Sequence, residues 1–531
     1  MDQNTYDQVP YPSMSYTQCH PDRMATVATL MGMDPPPVEH CRVLELGCAS
    51  GGNLIPMAYE LPESEFVGID NSGQQIDEGQ ETIGSLGFKN IHLRHIDILD
   101  MDGKLGPFDY IIAHGVFSWV PYEVQEKLLQ VCKQNLAPNG VAFVSYNAYP
   151  GWHMLSIIRD MMLYHTRDEA DPQRRAAMAR GFLDFLAESI PAEGSAYGSF
   201  LNMYAEFLRG ELKGASQSGD AFLLHDELET INQPFYFYEF AERAAQSGLQ
   251  YLGEAIFRLM MGGNLSPQVN ETLFKMSRSV VELEQYLDFV RNRMLRQTLL
   301  CHDDVTIQRK LYPEQLRAFR VSSHATIDDP EPENPHAAAV AKYHGTDGAT
   351  LATDHPVSKA AMRYLVEVWP ESVPFAELLA LARARLGLDE TGGGKQEDEQ
   401  VLGTNLLRAY TYSSSLLNLH TYRPPTTAVV SQRPVASAVA RHQAARGERV
   451  TNLRHERVTL DEIDRFLIQF LDGSHDLEAL VRRLEQGPVA EGKLTTLGQD
   501  GESEPADLKD LLASSIEKRL RWLSYAALLV G

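Results

Sequence analysis

The segment Val43-Leu44-Glu45-Leu46-Gly47-Cys48-Ala49-Ser50-Gly51-Gly52-Asn53 constrains the fold more than any other part of the chain. A β-branched and leucine run ends in a glycine-rich turn, and a helix is expected at once over 53–61. Glycines suit such a turn because the backbone must reverse sharply and come within contact distance of a ligand. A strand, a glycine loop and a helix in this order open a ligand-binding α/β sheet. By itself the loop is also compatible with a dinucleotide.

The surrounding pattern agrees with such a sheet. Short β-rich runs at 42–46, 65–70, 91–94, 108–114 and 140–147 alternate with helical stretches, which predicts parallel strands with helices on both faces. From 152 to about 320 the strand signal nearly vanishes, and apolar residues recur at helical spacing. Residues 324–350 are rich in Pro, Asp, Ala and Gly and read as a linker or exposed loop. Two helices within 355–387, a third near 399–415 and a strand-like 416–422 follow in a winged-helix-like order. The expected division is an N-terminal arm or lid over 1–40, an α/β domain over 41–150 and a helical domain over 151–322. A linker over 323–355 and a winged-helix-like region over 356–531 complete it.

Three carboxylates decide between ligands. Glu45 precedes the loop and fits the acidic-x-Gly-x-Gly-x-Gly pattern of class I methyltransferases, in which that residue helps hold a methionyl ammonium. Asp70 ends the next strand, nineteen residues past Gly51, where a carboxylate can accept hydrogen bonds from two ribose hydroxyls. Asp97 follows the third strand, where that fold places the acceptor of an adenine amino group, with Ile98 packed on the ring. The set points to S-adenosylmethionine held by Glu45, Gly47, Cys48, Ala49, Gly51, Asn53, Asp70, Asn71, Asp97 and Ile98. Ala49 departs from the pattern, which has glycine there. His114, at the end of the fourth run, reads equally as a pocket residue, a base, or a hydrogen-bonded strand-end histidine.

Beyond the loop, the chain resembles bacterial methyltransferases that carry a methyltransferase regulatory domain, including the rickettsial-type protein-lysine methyltransferases that act on outer-membrane proteins. The resemblance rests on Tyr6-Asp7-Gln8-Val9-Pro10-Tyr11-Pro12, His20-Pro21-Asp22-Arg23, the Glu45–Pro56 segment and Tyr146-Asn147-Ala148-Tyr149-Pro150-Gly151-Trp152. It continues through His225-Asp226-Glu227-Leu228-Glu229, Phe235-Tyr236-Phe237-Tyr238-Glu239-Phe240 and 291–302, and so covers residues 1–320 more closely than the tail. It implies a Rossmann-like class I methyltransferase core, a helical regulatory domain and methyl transfer to a protein lysine. The acceptor it implies is a protein, an outer-membrane protein before export among the candidates. A small-molecule acceptor, or a cofactor-binding module without turnover, are the alternatives.

Methyl transfer from a sulfonium is an in-line displacement with an excellent leaving group, so proximity and alignment dominate. A lysine nucleophile must be neutral although its reference pKa is about 10.4, which favours a desolvating pocket with aromatic walls. Tyr6 and Tyr11 in the arm, Trp119 and Tyr122 after the fourth strand, and Tyr149 and Trp152 after the fifth are the aromatic candidates. Asn147 could orient the amine. The arm is expected to fold over the cofactor as a lid. The acidic run 225–229 is expected to be a solvated helix or a helix cap rather than a metal site. The helical region is expected to cap the site, bind substrate or form a homodimer contact.

Charge bounds the partners. With 72 acidic and 47 basic residues the formal net charge is −25, which repels phosphate backbones and argues against nucleic acid. Five cysteines with no CxxC pair suit neither a disulfide framework nor structural zinc. With no secretory leader visible at the N-terminus and no long apolar run, a cytoplasmic protein without a membrane span is expected.

Overall fold

All five runs expected as strands form: β1 (Arg42–Leu46), β2 (Glu65–Asp70), β3 (Ile91–His95), β4 (Phe108–Ala113) and β5 (Leu136–Asn147). They pair in parallel, and two further strands, β6 (Leu249–Glu254) and β7 (Leu295–His302), extend the sheet to the order β3-β2-β1-β4-β5-β7-β6. β7 runs antiparallel to both its neighbours. The computed structural model describes residues 9, 11–214, 219–260, 262, 265–328, 339–388, 394–490 and 505–531.

The central strands are apolar on both faces because both faces are covered. Val43, Phe66, Ile112 and Phe143 join one core with Met24, Leu54 and Ile55, while Leu44, Ile69, Ile111 and Val144 join another with Leu128 and Phe240. Full burial of each such side chain stabilises by about 1.5–3 kcal/mol. The register sets Glu45 opposite Gly68 and Ile112, and Asp70 opposite His95, so the carboxyl ends of β1, β2 and β4 converge at one edge.

The region 151–322 is mostly helical, but its second part also carries two strands of the catalytic sheet. The helices Trp152–Thr166, Pro172–Ser189 and Ala196–Gly214 pack around Ile158, Leu183, Leu201 and Leu223. The remainder contributes β6, β7 and the helix Val280–Arg291 to the catalytic sheet. They are tied by a buried ionic cluster in which Arg296 reaches Glu254 at 2.6 Å, Asp288 at 2.8 Å and Glu284 at 3.0 Å. The Phe237 ring lies 3.7 Å from its guanidinium carbon. Strands built from Arg, Gln and Thr do not alternate as ordinary half-buried strands do, which explains why sequence patterning misses them.

Two other expected boundaries change. The described part of 323–355 is folded: Thr326–Ile327, Ala341–His344 and Thr350–Thr353 form a three-stranded antiparallel sheet with Tyr343 buried. The arm over 1–40 contains the helix Pro21–Leu30, whose Met24, Val27 and Leu30 are fully buried in the catalytic core. The tail is two units. Helices Pro356–Glu367, Phe375–Arg385 and Lys395–Tyr412 share the catalytic core, whereas residues from Ala436 onward build their own around Leu467, Leu480, Ile516 and Leu523. That last unit contains a two-stranded hairpin, Arg449–Thr451 with Arg457–Thr459, flanked by helices. Among the described residues no helix is long and apolar enough to cross a membrane.

Candidate active site

Where β1 ends, Gly47 and Gly51 both take φ +76°, and Ala49 between them takes φ +49°. A side chain in that left-handed region costs about 1 kcal/mol, so the alanine is mildly strained where the usual pattern has glycine. The strain is held by a specific bond: Ala49 N–H donates to Asp70 Oδ2 at 2.8 Å, while Ser72 N–H donates to Oδ1 at 2.9 Å. Burial raises the Asp70 pKa, and these backbone donors oppose the rise. At the next strand end Asp97 Oδ1 accepts from Leu99 N–H at 2.8 Å.

Glu45 is the most perturbed acid of the loop. It is 4% exposed, and burial pushes its carboxyl up to about 8. Oε1 accepts from Asn53 Nδ2 at 2.8 Å, whereas Oε2 has no hydrogen-bond partner among the described residues. A buried carboxylate oxygen without a partner is a costly arrangement unless a cation or donor completes it.

A cavity of about 520 Å³ opens over this loop. Its lining includes Glu45, Gly47, Cys48, Ala49, Asn53, Asp70, Asn71, Asp97, Ile98 and His114, the expected cofactor residues. Gly51 stands behind the wall instead, where a β-carbon would come within 2.9 Å of Leu93. Arm residues 11–16 cover one side of the cavity. Ser13 Oγ accepts from Gly52 N–H at 2.7 Å, Tyr16 N–H donates to Asn53 Oδ1 at 3.0 Å, and Gln75 Nε2 donates to the Tyr11 carbonyl at 3.1 Å. Tyr6 lies outside the described residues.

The lining also includes Trp119, Glu123, Val124, His225 and Asp226. The run 225–229, expected to be a solvated helix or a helix cap, instead begins inside a π-helical turn at Leu223–Glu227, with His225 and Glu227 buried. His225 Nε2 is 2.6 Å from the Val9 carbonyl, Tyr11 Oη donates to Asp226 Oδ2 at 3.4 Å, and Glu227 is buried against the Tyr204 hydroxyl. Burial holds His114 down at about 4, so it is neutral near physiological pH; its Nδ1 lies 2.9 Å from Ser145 Oγ and its ring 4.0 Å from that of Tyr16.

Two expected acceptor-site residues are elsewhere. Asn147 is buried, its Nδ2 donating to Asn232 Oδ1 at 2.9 Å and its N–H to Ser118 Oγ at 2.9 Å. Tyr149 stacks on His153 at 4.0 Å and does not line the cavity. The cause is the segment 232–236, which bridges Ala148 and covers the end of β5. Tyr122 is exposed away from the cavity, and Trp152 sits behind Trp119 with ring centroids 6.2 Å apart.

Comparison with known proteins accounts for this arrangement along the whole chain. A methyltransferase domain matches residues 37–172, a predicted methyltransferase regulatory domain matches 219–302, and the C-terminal winged helix domain of PKMT matches 432–528. An uncharacterized protein of Rickettsia prowazekii (strain Madrid E) is 36% identical over 529 residues, covering 97% of this chain and 93% of that protein. The structure of PKMT2 from Rickettsia typhi is similar with a TM-score of 0.84 and 30% identity, over 98% of this chain and 100% of PKMT2. The complex of PKMT2 with AdoHcy gives 0.83. This chain belongs to the rickettsial PKMT family. It is an S-adenosylmethionine-dependent methyltransferase. The winged helix of this PKMT relative is the last unit, 432–528, rather than the helices before it. The cavity fits the cofactor: Glu45 Oε2 suits the methionyl ammonium, Asp70 the ribose hydroxyls, and Asp97 with Ile98 the adenine.

Proposed function

We propose that this enzyme methylates lysine side chains of a protein acceptor. The reading rests chiefly on the cavity lining, which adds Trp119, Tyr16 and two carboxylates, Asp226 and Glu123, to the cofactor set. Bound in the loop, S-adenosylmethionine supplies an electrophilic sulfonium methyl. The carboxylates attract a lysine ammonium toward the cavity; passage between the aromatic walls desolvates it, so that it releases its proton to bulk water and enters as the neutral amine that attacks. Trp119 and Tyr16 then align the amine, and alignment supplies most of the acceleration. His114, neutral and engaged with Ser145, lines the site as a polar wall and takes no proton.

A small-amine acceptor is the second reading, favoured by the cover that residues 11–16 place over the cavity. Incubating the enzyme with methyl-labelled S-adenosylmethionine and a cell extract separates the two. Label in acid-precipitable protein supports the lysine reading. Label confined to small molecules supports the second.

A further inference from the structure

In a winged-helix domain the hairpin is the wing, and here its tip is not free to contact anything outside the chain. Between Arg449–Thr451 and Arg457–Thr459, residues Asn452 to His455 are all buried. Asn452 Oδ1 braces the turn by accepting from the N–H groups of Arg454 and Glu456, each at 2.9 Å. The turn closes with His455 at φ +59°, a left-handed conformation uncommon for a non-glycine residue.

That strained residue is directed into the cofactor domain. His455 Nε2 lies 2.8 Å from Asn53 Oδ1, and the His455 carbonyl accepts from Thr17 Oγ1 at 2.9 Å. Thr451 Oγ1 donates to Ser15 Oγ at 3.1 Å, so the wing also grips the arm that covers the cavity.

The proton positions follow from the partners. Tyr16 N–H can only donate, so the Asn53 atom it meets is the oxygen, and His455 Nε2, bound to that oxygen, carries a hydrogen. The Asn53 amide nitrogen is thereby turned toward Glu45 Oε1, while Oε2 of this cavity-lining residue has no hydrogen-bond partner among the described residues. On the far side of the imidazole, Nδ1 faces Glu60 Oε1 at 3.9 Å, and the His20 ring centroid lies 5.5 Å away.

We propose that the wing is a built-in part of the cofactor site, with His455 a positioning residue that fixes Asn53 and, through it, Glu45. The proposal rests on the cofactor assignment above. It gives the winged helix an intramolecular task in place of reading nucleic acid. Because coupling between sites is reciprocal, cofactor binding must in turn stabilise the wing.

The test uses the full chain and S-adenosylhomocysteine as the probe. His455→Phe keeps the ring volume but removes the donor, and His455→Gln restores a donor at similar reach. Calorimetry on wild type first establishes binding, so failure of the cofactor assignment would be seen separately. H455F is expected to weaken binding about tenfold and H455Q to stay within about threefold of wild type. Hydrogen exchange on the unmodified protein gives the second reading: peptides spanning 449–459 are expected to exchange more slowly with the probe bound. Equal weakening in both variants, wild-type affinity in H455F, or unchanged wing exchange would overturn the proposal. If the variants do not fold, the exchange result alone decides.

Discussion

Replacing Glu45 by glutamine separates what this residue does for stability from what it does for the cofactor. Its carboxyl rises from the ordinary 4.5 to about 8 because it is buried, with the hydrogen bond from Asn53 opposing the rise and the Asp70 charge adding to it. A folded-state value above the unfolded one means that stability falls as pH climbs from 4.5 toward about 8. Near pH 7 this spans some 2.5 units at about 1.36 kcal/mol each, or about 3 kcal/mol of destabilisation. Glu45→Gln removes the titration, keeps an acceptor for Asn53 Nδ2, and should raise thermal stability near neutral pH by an energy of that order. Binding moves the other way. An ammonium ligand needs the ionised carboxylate, so the wild-type dissociation constant for S-adenosylhomocysteine should fall close to tenfold per unit from about pH 6 toward 8, then level. In E45Q that slope disappears, and near pH 8 affinity drops by about tenfold or more with the loss of a charge-assisted hydrogen bond. Calorimetry across that pH range and thermal unfolding near neutrality read both effects. A variant less stable than wild type, or one that keeps the affinity and slope, would refute the reasoning.

Other perturbations test separate parts of the account. Gly52→Ala would set a β-carbon 2.4 Å from the Ser13 carbonyl carbon, so it should unseat the arm and weaken S-adenosylhomocysteine, measured by calorimetry and by faster proteolysis of the arm. Asp226→Asn should raise KM for the methyl acceptor by roughly threefold to tenfold while leaving the probe's dissociation constant unchanged. Arg296→Met leaves Glu254, Glu284 and Asp288 buried around an apolar side chain; chemical denaturation should show a loss of about 3–5 kcal/mol.

The sheet was legible where its chemistry is plain. β1, β2, β4 and β5 are Val-, Ile- and Leu-rich because helices cover both faces, and the acids at their ends mark the cofactor. β6 and β7 escaped because Arg296, Thr298 and Glu254 are buried in them, and a buried ionic cluster looks like solvent-facing polarity in one dimension. The cofactor half of the site was readable since its residues follow one another along the chain at strand ends. Its acceptor half was not. Asn147 and Tyr149 end the right strand, but the 232–236 segment, which pattern alone cannot place, occupies that end. Asp226 and Tyr16 line the cavity because a π-helical turn and an extended arm fold back onto it. His455 is 402 residues from Asn53, and only its left-handed backbone and burial, both invisible in sequence, reveal the contact.

The most direct test of the central claim is to locate the transferred methyl group. After incubation of wild-type enzyme with labelled S-adenosylmethionine and a protein extract, tandem mass spectrometry of the labelled acceptor should place methyl groups on lysine Nε. The same incubation with Glu45→Gln should give far less label. Methyl groups found only on other atoms or in small molecules, with lysine unmodified, would contradict the account.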